Sequence, residues 1–361
     1  MLGIDRVCLA LTLVTAAAVG CGGAESPAGT SGTGGGFATT SSASSSSSGA
    51  GGGTSAASSS STGGLTCAPG DGTTLVVTKL AFGEGNAGQW KKVGLNIDGL
   101  SSTASSKDVC TPNDGGNAAT AYPDGDNGID NSFGKNLLPT LLSVDPTWVN
   151  DVNMGAQNGF FSVLLKMYCL PPTGDVPAFT TKLFGGATLG SKPKFDGTDK
   201  WPVVPELLTN LADPESSAIS FPSSSVVGAK FDSGKGTFIL TIPITVQGQT
   251  SSIKLTLYSA RATMTLNDDR KGASAGTISG VLNTEEFVAE VKKIGVLLNL
   301  CDQQLFMNIL TQVRQASDIL DDGTQDPNKV CNGISIGLGF EMAEAQIGNV
   351  APPTAMGASC P

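Results

Sequence analysis

The side chains with the clearest chemical potential lie in one short stretch, residues 123–131 (PDGDNGIDN). Three carboxylates, two carboxamides and two glycines fall within this stretch. Oxygen side chains this close repel one another unless a cation or amide hydrogens lie among them. The glycines let the backbone turn tightly enough for the oxygens to converge. Because calcium prefers about six to eight oxygen ligands, the stretch predicts a calcium (Ca²⁺) site.

The candidate calcium ligands are the polar residues of this stretch together with one carboxylate from an earlier segment: Asp124, Asp126, Asp130, Asn131 and Asp98. The spacing is not that of an EF-hand, because Ile129 replaces the required glycine and Lys135 replaces the closing glutamate. A hydrogen-bonded acidic turn without metal is the alternative. For the second acidic segment, residues 318–326, that plain turn is the favoured interpretation.

Histidine is absent from the chain, which excludes Ser-His-Asp, Cys-His and His-metal mechanisms. Residues 272–276 spell G-x-S-x-G, but they lead into a predicted strand and not into the helix that a nucleophile elbow needs. No catalytic residue is therefore assigned. Paired carboxylates keep open one alternative, a carboxylate-dependent polysaccharide hydrolase.

The chain has a net charge of −10 and a sequence pI near 4.5, which argue against a nucleic-acid partner.

The first 65 residues predict an exported protein on a lipid anchor. Residues 1–20 have a short apolar run typical of a cleaved signal peptide. Residues 18–21 (AVGC) resemble a bacterial lipobox, with Ala18 where Leu is more usual, and would lipidate Cys21 (palmitate included); ordinary signal cleavage nearby is the alternative. The Ser/Gly-rich residues 21–65 predict a disordered linker. Gly22 lacks the aspartate of an inner-membrane retention signal, which favours the outer membrane. Residues 66–361 would form the extracytoplasmic head.

Six cysteines remain in that head, an even number in an exported protein, and predict three disulfides. The pairing we expect is Cys301–Cys331, Cys67–Cys360 and Cys110–Cys169.

Hydrophobic periodicity predicts a mainly β (α+β) head. The clearest strand covers residues 237–247, where apolar and polar residues alternate, and β patterns also cover residues 74–82, 89–100, 160–169, 178–184, 253–266, 277–282 and 334–341. Two helices are expected between residues 283 and 320, the first capped by Asn283. The order of elements favours an antiparallel β-sandwich-like fold elaborated by a C-terminal helix pair.

Three segments resemble a group of uncharacterised lipoproteins from myxobacteria and related Gram-negative bacteria. They are residues 94–99 (GLNIDG), residues 124–134 (DGDNGIDNSFG) and residues 331–340 (CNGISIGLGF), with Cys110 between the first two. The resemblance implies an exported, envelope-attached protein and implies no activity.

The leading functional hypothesis is a cell-envelope lipoprotein whose head is a non-catalytic, calcium- and disulfide-stabilised binding or structural module. It would contact the membrane through its lipid and take an extracellular glycan or protein as ligand. Two alternatives are the polysaccharide hydrolase and an adhesion or envelope-assembly protein recognised through a sheet edge.

Overall fold

The computed structural model describes residues 71–86, 88–246, 249–297, 299–353 and 359–360. The predicted signal peptide, Cys21, the linker and Cys67 lie outside these residues. The strands are β1 Gly72–Ala81, β2 Ser162–Tyr168, β3 Val176–Gly186, β4 Lys200–Val203, β5 Ile219–Val227, β6 Lys230–Asp232, β7 Gly236–Val246, β8 Gln249–Leu266, β9 Gly272–Asn283, β10 Gly333–Glu344 and β11 Gln346–Val350. The α-helices are α1 Ala118–Ala121, α2 Leu138–Val144, α3 Trp148–Gln157, α4 Thr284–Leu297 and α5 Gln304–Gln315.

The mainly β prediction is confirmed, but the sheet closes into an eight-stranded barrel and not into the expected sandwich. The strands follow the order β3-β2-β1-β10-β9-β8-β6-β5, and β5 pairs again with β3. Every pairing around this ring is antiparallel. Closure is possible because β3 is long enough to pair with β2 on one edge and with β5 on the other. Over the residues that pair within the ring, closure removes the free edges that an open sheet would have.

Apolar residues fill the barrel interior and also cover part of its outside. Successive side chains of a strand point to opposite faces, so Leu75 and Val77 lie in the main core while Val76 lies in a second cluster. That second cluster is centred on the fully buried Trp201 of β4. Strand β11 pairs in parallel with β4 beside it.

The predicted helix pair is present and packs against the barrel. The Asn283 side chain accepts the N–H groups of Glu285 and Glu286, as expected of a helix cap. Helix α5 begins after Gln303, which precedes it without a side-chain cap. No helix in the described ranges is both long and apolar enough to cross a membrane.

Disulfide cross-linking of the head is confirmed, but the predicted pairing is wrong. Cys110 bonds to Cys331 and not to Cys169, while Cys301 bonds to Cys360 and not to Cys331. Cys360 is therefore not the partner of Cys67. The physical reason is topological: Cys331 immediately precedes β10, where a short parallel bridge between Thr111 and Val330 brings the loop of Cys110 alongside.

Residues 89–100 do not form the expected strand. Gln89–Lys92 is a single 3₁₀ turn, and the chain then runs irregularly through Gly94, whose φ of 136° favours glycine. A Cβ atom there would lie 2.8 Å from Cγ2 of Ile129. The close approach of two loops therefore explains this glycine better than a strand does.

Candidate functional site

The three segments that carry the family resemblance meet at one place beside β10. The N–H of Asp130 donates to the carbonyl of Leu95 at 3.1 Å, and the N–H of Leu95 donates to Oγ of Ser279 at 2.7 Å. The N–H of Gly337 in β10 donates to Oδ1 of Asn131 at 3.1 Å. A Cβ atom on Gly337 would lie 2.3 Å from the carbonyl oxygen of Val93. The loops are thus held against the strand at backbone contact distance.

Asp130 is buried, as is Asn131, the residue that follows it among the predicted ligands. Oδ2 of Asp130 accepts the main-chain N–H of Ile97 at 2.5 Å and that of Asp98 at 3.4 Å. Burial, with the charges of Asp98 and Asp318 next in importance, raises the pKa of Asp130 to about 9. Its carboxyl group is therefore protonated at neutral pH.

Asp124 and Asp98 lie in the same cluster, while Asp126 lies outside it. Asp124 accepts the N–H of Ser102, and burial raises the pKa of Asp124 to about 6, with the charge of Asp98 adding to that rise. Asp98 accepts the N–H of Leu100 at 2.8 Å and the amide of Gln325 at 2.8 Å. Asp126 is exposed on the 3₁₀ turn Asp126–Gly128.

A fourth carboxyl group, Asp318, joins the cluster from the chain segment after α5. Its two oxygens accept the N–H and the hydroxyl of Ser335 at 2.8 and 2.5 Å. Burial raises the pKa of Asp318 to about 7. The sequence interpretation assigned Asp318 to a solvated turn, whereas the structure buries it. Its local sequence contains no signal for this burial, which results from contact with β10.

Lys135 interacts electrostatically with this carboxyl cluster (Asp98, Asp124, Asp130 and Asp318), through Asp124 and Asp318. Its Nζ donates to the carbonyl of Pro123 at 2.9 Å and lies 5.5 Å from the Trp90 ring centroid. Burial lowers the pKa of Lys135, while the charges of Asp318 and Asp124 act in the opposite direction. Sequence reasoning considered Lys135 only as a departure from the EF-hand pattern.

The Asn131 side chain forms four hydrogen bonds with backbone groups. Its Nδ2 donates to the carbonyls of Val93 at 2.9 Å and Trp90 at 3.3 Å. Its Oδ1 accepts the N–H of Gly134 at 2.9 Å as well as that of Gly337. Asn131 is 2% exposed. Its side chain therefore holds the surrounding loops together and does not present a free oxygen to a metal ion.

The structure thus brings together Asp98, Asp124 and Asp130 and leaves Asp126 and Asn131 in other roles. Within the described part of the chain, no group of three or more His, Cys, Asp or Glu side chains has an arrangement that could hold a metal ion. The cluster as it stands is a set of carboxyl groups that accept backbone N–H bonds, and burial raises the pKa of three of them, Asp124, Asp130 and Asp318. Such an arrangement fixes loops, and its half-buried member Asp124 titrates near neutral pH.

Comparison of the chain with protein-family models, with curated proteins and with solved structures finds no match.

Proposed function

We propose that this chain is a lipid-anchored cell-envelope protein whose barrel is a non-catalytic binding or structural module, held from the outer membrane by its linker. The observation that supports the non-catalytic part is the role of two predicted metal ligands: the side chains of Asn131 and Asp130 form hydrogen bonds to backbone groups. Buried disulfides support export, because such bonds persist in oxidising compartments.

The anchor is tested by growing cells with a clickable palmitate analogue and following the full chain. Wild type and Cys8→Ser, whose changed residue leaves with the signal peptide, are expected to be labelled and to fractionate with the outer membrane. Cys21→Ser is expected to lose the label. An unlabelled wild-type chain, or a labelled Cys21→Ser chain, would overturn the lipid anchor.

Calcium binding is part of this proposal, and the carboxyl groups of the site determine how that binding must depend on pH. The ion would bind Asp98, Asp124 and Asp130, and it would have to displace protons from two of them, because metal ligands must be deprotonated. Calcium affinity must therefore rise with pH. That dependence separates a metal site from a cluster that only holds protons.

A polysaccharide hydrolase is the second candidate, and one observation favours it. Asp124 is half-buried beside Asp98, and a pKa of about 6 suits a general acid near neutral pH. The test is release of reducing sugar from a panel of polysaccharides by wild type and by Asp124→Asn. Activity that Asp124→Asn loses would support hydrolysis, and a blank panel would remove it.

A further inference from the structure

Along one of its two edges, strand β8 is paired with a neighbouring strand over only part of its length. Its residues 249–260 pair with β7, and its other edge pairs with β9 from Leu257, opposite Leu282, onward. Strand β9 ends at Asn283 and helix α4 begins at the next residue. Among the described residues no strand pairs with the β9-side edge of residues 250–256.

The side chain of Glu290 in α4 takes the place of a strand carbonyl at this edge. Its Oε2 accepts the main-chain N–H of Lys254 at 2.9 Å. Alternate residues of an antiparallel strand direct their backbone groups to the same edge. The N–H and C=O groups of Ser252 therefore face the open edge as well. Backbone groups exposed in this way form a template for another strand.

A groove of about 330 Å³ separates this edge from α4. Leu255, Leu282 and Phe287 supply its apolar lining, and Tyr258 and Glu286 supply polar groups at one end. An exposed sheet edge beside a groove is the kind of site at which extended peptides bind by strand addition.

At the Tyr258 end of the groove, Glu286 forms no ion pair with a described residue. Glu285 and Glu290 are paired with Arg314 and Lys293, at 2.7 and 2.6 Å. Glu286 instead accepts the neutral hydroxyl of Tyr258 at 2.9 and 3.1 Å. A basic side chain is the complementary group for this end of the groove.

We propose that the groove between β8 and α4 binds an extended peptide segment of a partner protein as an added strand, with a basic side chain of the peptide at Glu286. The peptide backbone would bond to the Ser252–Lys254 edge, and its carbonyl would replace the Glu290 carboxylate at the Lys254 N–H. This gives the binding role proposed above a site and a ligand class, and rests on that role.

The test titrates the full chain, with its disulfides intact and in detergent, into a fluorescent peptide of alternating Thr and Val with one central Arg. Anisotropy reports binding. Two control peptides are compared with the Arg peptide. One has a central Glu in place of Arg, and the other has N-methyl groups on alternate backbone nitrogens, which block strand pairing. The variants are Glu286→Gln, its neighbour Glu285→Gln as control, and Lys254→Pro, which removes the edge N–H.

The Arg peptide is expected to bind the wild-type chain saturably. It should bind Glu286→Gln about fivefold more weakly than wild type, since a partly exposed ion pair contributes up to about 1 kcal/mol. Glu285→Gln should bind like wild type, and the N-methylated peptide and Lys254→Pro should show no binding. If Lys254→Pro does not fold, the N-methylated peptide tests the same bonds on the native chain.

Three results would overturn the proposal: no binding of the Arg peptide to the folded wild type, equal binding of the N-methylated peptide, or self-association that Lys254→Pro abolishes. The last result would assign the edge to a second copy of this chain. Palmitate labelling tests only the lipid anchor at Cys21, and peptide binding tests only the groove. A negative result in one experiment can therefore be distinguished from a negative result in the other.

Discussion

Asp130 and Ile97 are joined by a 2.5 Å hydrogen bond in which the main-chain N–H donates to a carboxyl group that is 2% exposed. This bond ties the loop of residues 123–131 to the segment of residues 94–99, far apart from it in sequence. The fold is sensitive to pH at the same residue, because burial raises the pKa of Asp130 to about 9 although the bond from Ile97 acts in the opposite direction.

Asp130→Asn should flatten the dependence of stability on pH. The ordinary pKa of 3.8 applies to Asp130 in the unfolded chain, whereas the native pKa is about 9. Between those values the native state holds the extra proton, so the free energy of unfolding falls as pH rises, by up to about 1.4 kcal/mol per pH unit. Asparagine stays neutral and keeps an acceptor for Ile97, so urea unfolding from about pH 5 to pH 9 should show a shallower decline.

The matched control is Asp126→Asn, a neighbouring change at an exposed carboxylate. It should reproduce the wild-type decline. If Asp130→Asn also declines like wild type, Asp130 does not hold a proton in the native state.

Calcium should raise the melting midpoint more at high pH than at low pH. Asp130, Asp318 and Asp124 have pKa values of about 9, 7 and 6, so an ion competes with fewer protons as pH rises. Calorimetry in EDTA, excess calcium or excess magnesium, at about pH 6 and pH 9, measures the effect. Absence of a calcium-specific rise in the alkaline sample, or its persistence in Asp124→Asn, would remove calcium from the proposed function.

Asn131→Asp distinguishes a clamp from a metal ligand. The change removes the two N–H bonds to the carbonyls of Val93 and Trp90 and adds a buried charge beside Asp130. We expect a loss of about 3 kcal/mol in the free energy of unfolding, whereas Asn150→Ala at an exposed helix position should change it little. A variant that calcium stabilises beyond wild type would instead make residue 131 a ligand.

The sequence was informative where the pattern is local. The alternation over residues 237–247 predicted β7 closely, and Asn283 caps α4 as its spacing indicated. Hydrophobic periodicity and helix capping depend on residues that are close in sequence, so both can be predicted without knowledge of the fold.

The errors concern contacts between distant segments. Gly94 is required by Ile129, the burial of Asp318 depends on Ser335, and the partner of Cys110 depends on the bridge beside β10. Barrel closure likewise depends on the second edge of β3. Composition placed several acidic residues correctly in one cluster, but their protonation follows from burial, which a linear pattern does not contain.

Two disulfides formed between described residues should be recovered with a pairing that differs from the one expected from the sequence. Non-reducing peptide mapping of the secreted chain should recover Cys110–Cys331 and Cys301–Cys360. Replacing both cysteines of either bond by serine should lower the free energy of unfolding by about 2–5 kcal/mol. Recovery of a Cys301–Cys331 peptide would contradict the arrangement of β10 and α5 described above.

Glu215 contacts two neighbouring lysines on the outer face of the barrel and supplies the counter-charge of one of them, Lys166, so loss of its carboxylate should destabilise the fold. Lys166 and Lys182 are cross-strand neighbours, and like charges in that position repel. Glu215 Oε1 lies 2.5 Å from Nζ of Lys166, whose side chain is 5% exposed, and the Glu215 carbonyl accepts from Lys182 at 3.0 Å. Because Glu215→Gln leaves a buried ammonium group without its counter-charge, we expect a loss of about 3 kcal/mol in urea unfolding.

Two comparisons test whether that loss comes from the uncompensated charge. Adding Lys166→Met to Glu215→Gln removes the buried ammonium group and should restore most of the stability, since an apolar side chain needs no counter-charge. Glu341→Gln breaks the exposed pair with Lys79, whose side chains are 58% and 54% exposed, and should cost less than about 1 kcal/mol. If the double variant is as unstable as Glu215→Gln alone, the loss comes from the loop of Glu215 and not from the charge on Lys166.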